Sequence, residues 1–288
     1  SSGGSIYSNG GTVNVSSSVI EYCSSSNSTG GGIYIKDGTV NLNGTATIDS
    51  CTANAENNGF GGAVDVVNST LNMTSGTPVI QNCSAWRGGA IRLYNNSNNS
   101  YNSMANLSVG EIKNNSSLTS AGAIRVYKNG NSNSATLNIS GTVLIRNNEA
   151  ASNGGAIHIY GGTVNITGGT ISENTALNTD GAANGGAVYL QSGAMVVSGG
   201  TISENSAIGG VEGQNINSTQ SYGGAIYVAL GTTLTMTGGA ISGNTARSYA
   251  KTAYGGAIYV APGGSMNLSE GTITGNTSNG GTYSQGAG

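Results

Sequence analysis

The chain has 288 residues, 50 of them glycine; 7% are charged and the formal net charge is −3. So few Lys and Arg cannot neutralise a phosphate backbone, which excludes nucleic acid as a partner. No apolar run of about 18 residues occurs, which excludes membrane insertion by a helix of this segment.

High glycine with low hydrophobicity can mean disorder, but here the apolar residues are periodic and rich in β-branched types. The first predicted strand of each unit is anchored at Ile6, Ile33, Val64, Ile91, Ile124, Ile157, Val188, Ile226 and Ile258, with spacings from 27 to 38 residues. Each unit then reads as three short strands. They are typified by Gly155-Ala156-Ile157-His158-Ile159, by Thr163-Val164-Asn165-Ile166-Thr167, and by Gly169-Thr170-Ile171-Ser172. Apolar and polar residues alternate in each, the period of a half-buried strand, and glycine pairs mark the corners. Three strands per unit of about 30 residues predict one coil of a right-handed, single-stranded parallel β-helix, with about nine coils in one continuous array over residues 1–288. Both termini fall inside repeats, so the sequence is expected to be part of a longer polypeptide whose leader or anchor lies elsewhere.

The third strand of each coil leads to a ladder: Cys23, Cys51, Cys83, Asn115, Asn148, Asn174, Asn205, Asn244 and Asn276, each three residues after an isoleucine. Stacked Asn side chains can bond amide to amide and to the corner backbone, satisfying groups otherwise buried unpaired. Cys fills the same slot as a small apolar residue. In-register side chains point in parallel, and three cysteines leave one over, so free thiols are expected rather than a disulfide.

Two motifs therefore alternate. One is G-G-A-[IV], as in Gly61-Gly62-Ala63-Val64, Gly88-Gly89-Ala90-Ile91, Gly154-Gly155-Ala156-Ile157, Gly185-Gly186-Ala187-Val188, Gly223-Gly224-Ala225-Ile226 and Gly255-Gly256-Ala257-Ile258. The other is typified by Ile171-Ser172-Glu173-Asn174. The pairing resembles the polymorphic outer-membrane protein repeats of bacterial surface adhesins, although that family's second motif usually begins with Phe. The resemblance implies an extracellular or cell-surface β-helical adhesin or structural rod, with no catalytic residues.

The outward positions of the first strand are Tyr7, Tyr34, Asp65, Arg92, Arg125, His158, Tyr189, Tyr227 and Tyr259, joined two residues on by Tyr94, Tyr127 and Tyr160. On a flat outer face, Arg92, Tyr94, Arg125, Tyr127, His158 and Tyr160 form a candidate contact surface for host-cell or matrix glycans or proteins. Stacked aromatics equally stabilise a sheet face without a ligand. A carbohydrate-binding or polysaccharide-lyase-like β-helix is the alternative reading of this face, although lyase or glycosidase chemistry would need more acids than Asp65. His158, the sole histidine, lacks ligand-spaced partners and is expected to be exposed; no metal or cofactor is expected.

The second strand carries an outward Thr/Asn row that includes sequons at Asn72, Asn138 and Asn165, candidates for glycosylation. A flat Thr/Asn array also admits an ice-binding reading. Further sequons include Asn27, Asn95, Asn98 and Asn217. Polar insertions at residues 95–103 and 208–222 are positioned for contacts or tolerated as inert extensions. Open coil ends add one more reading, a fibre subunit stacking end to end.

Overall fold

A computed structural model describes residues 2–26, 28–96, 102–130, 134–213, 219–281 and 284–285, the last pair by backbone alone. The sequons at Asn27, Asn98 and Asn217, and the central parts of the two insertions, lie outside the described residues. Among the described residues there is no helix, and the strands form sheets of 19, 8 and 4 strands.

Every strand pairing is parallel, and each joins equivalent residues of successive units. Ile6 sits beside Ile33, Ile33 beside Val64, and the column continues through Ile91, Ile124, Ile157, Val188 and Ile226 to Ile258. Such pairing along one chain makes a parallel β-helix. Its core is a set of thin apolar columns: Ile157 and Ile159, Val164 and Ile166, and Ile171 of one unit are all buried in one contiguous cluster. In two units the predicted strands fuse into single bent strands, Ile157–Ser172 and Val188–Ser203.

The two glycines of the G-G-A motif are required for different reasons. Gly154 has φ +62°, a left-handed conformation costly for any residue with a Cβ. A Cβ on Gly155 would instead sit on the carbonyl oxygen of Gly186 in the next unit. Ala156 then points into the core, fully buried. At the opposite corner, the residue before each ladder position is also left-handed: Asn147 at 54°, Glu173 at 56° and Glu204 at 58°, with glycine at 243 and 275. This corner turns the ladder residue inward.

The expectation of three strands per coil is corrected. A fourth strand follows the ladder directly, as in Ser84–Arg87, Ser116–Ser120, Thr175–Asn178 and Thr245–Ser248, and builds the 8-stranded sheet. Its inward residue is alanine in six of the eight strands, Ala53, Ala85, Ala150, Ala176, Ala207 and Ala246, and serine in the other two, Ser117 and Ser278; all are buried. One small inward residue per strand gives little hydrophobic signal, which is why the alternation did not reveal it. A short fifth segment, including Ser221–Tyr222 and Ala253–Tyr254, forms the 4-stranded sheet.

Candidate functional site

The ladder lies inside the fold. Asn174 Nδ2 donates to Ser172 O at 2.8 Å, to Ile145 O of the preceding unit at 3.0 Å, and to Asn205 Oδ1 at 2.9 Å. Its Oδ1 accepts the backbone N–H of Asn148 at 3.0 Å and Asn148 Nδ2 at 2.9 Å. The pattern recurs at Asn115, Asn148, Asn205 and Asn244, so each amide closes a corner and ties two units together.

Cysteine does part of this work, which corrects the view that it merely fills space. Cys83 Sγ donates to Gln81 O at 3.1 Å and accepts the Cys51 N–H at 3.4 Å, two of the roles an Asn performs. Cys83 N–H in turn donates to Asn115 Oδ1 at 2.9 Å, joining the two halves of the ladder. All three thiols are free.

The charged middle of the first-strand face is buried, while Tyr160 at its margin stays exposed. Asp65 is 0%, Arg92 8%, Arg125 7% and His158 6% exposed, because the segments leading into the glycine corners fold across them. Phe60, on one such segment, lies 4.3 Å under the Arg92 guanidinium and 5.2 Å from that of Arg125. The expectation of an exposed His158 is therefore wrong. Burial and the nearby Arg125 push its pKa down to about 3, so the ring is neutral. With Gln191 Oε1 as acceptor at 2.8 Å, Nε2 carries the proton, and Nδ1 accepts from Ser120 Oγ at 2.9 Å.

Asp65 is likewise unavailable as a catalytic acid. It is bound bidentate to Arg92, Oδ1 to Nε at 2.7 Å and Oδ2 to Nη2 at 2.6 Å. Tyrosines extend the face on both sides. Tyr94 stacks on Tyr127 at 5.1 Å, and Tyr127 meets Tyr160 at 5.4 Å. Tyr189, Tyr227 and Tyr259 follow at 5.2 and 5.3 Å, with Tyr222 and Tyr254 of the fifth segment packed against Tyr227 and Tyr259.

One cleft opens on this face, about 530 Å³ in volume. It is lined by Arg87, Thr119, Ser120, Arg125, Tyr127, Ser152, Asn153, His158, Tyr160 and Gln191. Four of the six expected face residues come together here: Arg125, Tyr127, His158 and Tyr160. Arg92 and Tyr94 do not line it; Arg92 is spent on Asp65. Sequence reasoning missed Arg87, Ser120, Asn153 and Gln191, which reach the cleft from separate segments. Among the described residues no Asp or Glu lines it, and no three of His, Cys, Asp and Glu gather as a metal site would require.

On the second-strand row, Asn72, Asn138 and Asn165 each donate Nδ2 to the Asn of the preceding unit, at 2.8 to 3.0 Å. A glycan on any of them would interrupt this outer ladder, and two on neighbouring rungs would collide at the strand spacing of about 4.8 Å. Asn95, another sequon, is fully buried.

Fold and site together define a parallel β-helix scaffold held by an internal, hydrogen-bonded Asn ladder, with a polar cleft on its first-strand face. Residues 142–160 match the family model described as the Chlamydia polymorphic membrane protein repeat. The matched stretch holds one copy of each motif, Ile145 to Asn148 and Gly154 to Ile157, together with His158 and Tyr160 of the cleft. The likeness to that membrane protein repeat is shown over this one stretch. No curated protein and no solved structure matches it. No helix among the described residues is long and apolar enough to cross a membrane.

Proposed function

We propose that this chain is a segment of an extracellular or cell-surface rod that recognises its partner through the Arg125 cleft and does no chemistry on it. The observation that carries this reading is the composition of the cleft. Two guanidiniums, two tyrosine rings and neutral hydroxyl and amide groups surround a space within the range that holds a small ligand, about 300–1,000 Å³. Arg and Tyr are the residue types that dominate recognition surfaces. General acid–base work would want a group that titrates near neutrality, whereas His158 stays neutral with both ring nitrogens engaged. The carboxylate pair of glycoside hydrolysis is not among the lining residues. The β-helix places the cleft on the side of the rod, where a partner reaches it without disturbing the columns that hold the fold.

The test is adhesion. Beads coated with the purified chain are expected to attach to cultured epithelial cells, and attachment is expected to be competed by the free chain. Beads that attach no better than albumin-coated ones would remove the adhesive reading and leave a purely structural rod.

A further inference from the structure

The column order Asp65, Arg92, Arg125, His158 places two guanidiniums and one carboxylate on adjacent rungs. Arg92 takes both oxygens of Asp65. His158 is neutral. Among the described residues Arg125 is thus left as a buried cation without a counter-ion, and its Nε has no hydrogen-bond partner there. Its contacts are the ring faces of Tyr127 at 4.8 Å and Phe60 at 5.2 Å. A cation–π contact offsets only part of the desolvation of a buried charge. Burial, aided by Arg87 and Arg92, lowers the Arg125 pKa to about 10, which still leaves it charged at neutral pH. Arg87, which also lines the cleft, has no acidic partner among the described residues and donates Nε to Thr119 Oγ1 at 3.2 Å.

We propose that the Arg125 cleft is an anion site for a carboxylate-bearing saccharide, with the carboxylate seated on the unpaired guanidinium of Arg125. This assignment rests on reading the cleft as the recognition site. The missing counter-ion argues for an anion, and the planar fork of the guanidinium matches a planar carboxylate in two hydrogen bonds. Tyr160, 40% exposed, offers a ring face on which the apolar face of a pyranose can lie. Gln191 has its Oε1 engaged by His158, which turns its Nε2 into a fixed donor for a sugar hydroxyl, while Asn153 and Ser152 complete a polar wall. A neutral sugar would satisfy the ring and leave the buried charge unpaired.

Calorimetric titration of the full chain at 0.15 M salt tests this, with trigalacturonate and sialyllactose as probes, each against its methyl ester and beside a sulfated disaccharide. The acids are expected to bind at least about tenfold tighter than their esters, the scale of one charge-assisted contact. Arg125→Gln is expected to lose that factor without lowering Tm, because it removes an uncompensated buried charge; Arg146→Gln, outside the cleft, is expected to bind as the parent does. Equal binding of acid and ester, binding of the sulfated sugar alone, or no binding of either acid would overturn the assignment. So would a fall in Tm of Arg125→Gln with binding retained, which would make Arg125 a structural residue. Cell attachment of Arg125→Gln beads separates the two readings: attachment retained keeps the adhesive rod and removes this site from it.

Discussion

Replacing Asn174 with alanine removes five hydrogen-bond contacts from a fully buried corner. The backbone N–H of Asn148 loses its acceptor outright, and the carbonyls of Ser172 and Ile145 lose a donor. An orphaned buried donor costs about 1–3 kcal/mol, and each lost net bond about 1 kcal/mol. The sum is a destabilisation of about 4 kcal/mol. Asn174→Cys should cost about half as much, because a thiol in this slot reaches the carbonyl two residues back and accepts the neighbouring N–H, as Cys83 does. Urea unfolding followed by circular dichroism measures both variants against the parent. The slope must be compared as well as the midpoint, since a repeat array can fray at one corner before it unfolds as a whole. An alanine variant within about 0.5 kcal/mol of the parent, or a cysteine variant as damaging as alanine, would refute this account of the ladder.

Ser117 occupies the slot that Ala85 and Ala150 fill on either side, with its Oγ buried and unpartnered among the described residues. Ser117→Ala is therefore expected to raise stability by about 1 kcal/mol in the same assay. Asp65→Ala strands Arg92 beside Arg125 in a buried column and is expected to cost about 3–5 kcal/mol, whereas Asp65→Val with Arg92→Met should recover most of it; a double variant as unstable as the single would contradict the pairing. His158 also makes stability pH-dependent. Its pKa in the folded chain, about 3, lies below its ordinary 6.5, so only the unfolded chain takes up a proton between those values. Stability is full above pH 6.5 and falls with acidification by up to about 1.4 kcal/mol per pH unit. His158→Gln is expected to flatten the profile between pH 6.5 and 5, above the range where Glu111, held below its usual carboxylate range by its hydrogen bond from Lys113, begins to contribute. A profile equally steep in both proteins would show that another group titrates there.

The columns were legible because their signal repeats. Ile112, Ile145 and Ile171 pair in register as their shared distance from the ladder implied, and the glycine corners fall where the motif put them. The fourth strand was hidden because one small residue per unit carries its inward face. The cleft was half legible. Counting rungs from the glycine motif already sets Asp65, Arg92 and Arg125 in one column with one acid for two bases. Nothing in that count shows the face to be covered, since Phe60 and Arg87 arrive from segments whose path depends on the unseen fourth strand.

What the sequence determined by itself is the repeating backbone: alternation gave the strands, left-handed and unsubstituted positions gave the corners, and a constant phase gave the register. What only the tertiary structure decided is which outward residues meet water. A side chain on the outer face of a strand is exposed or buried according to what crosses over it. At Arg125 that crossing turns a surface cation into a buried one with no counter-ion among the described residues, a property no single strand contains.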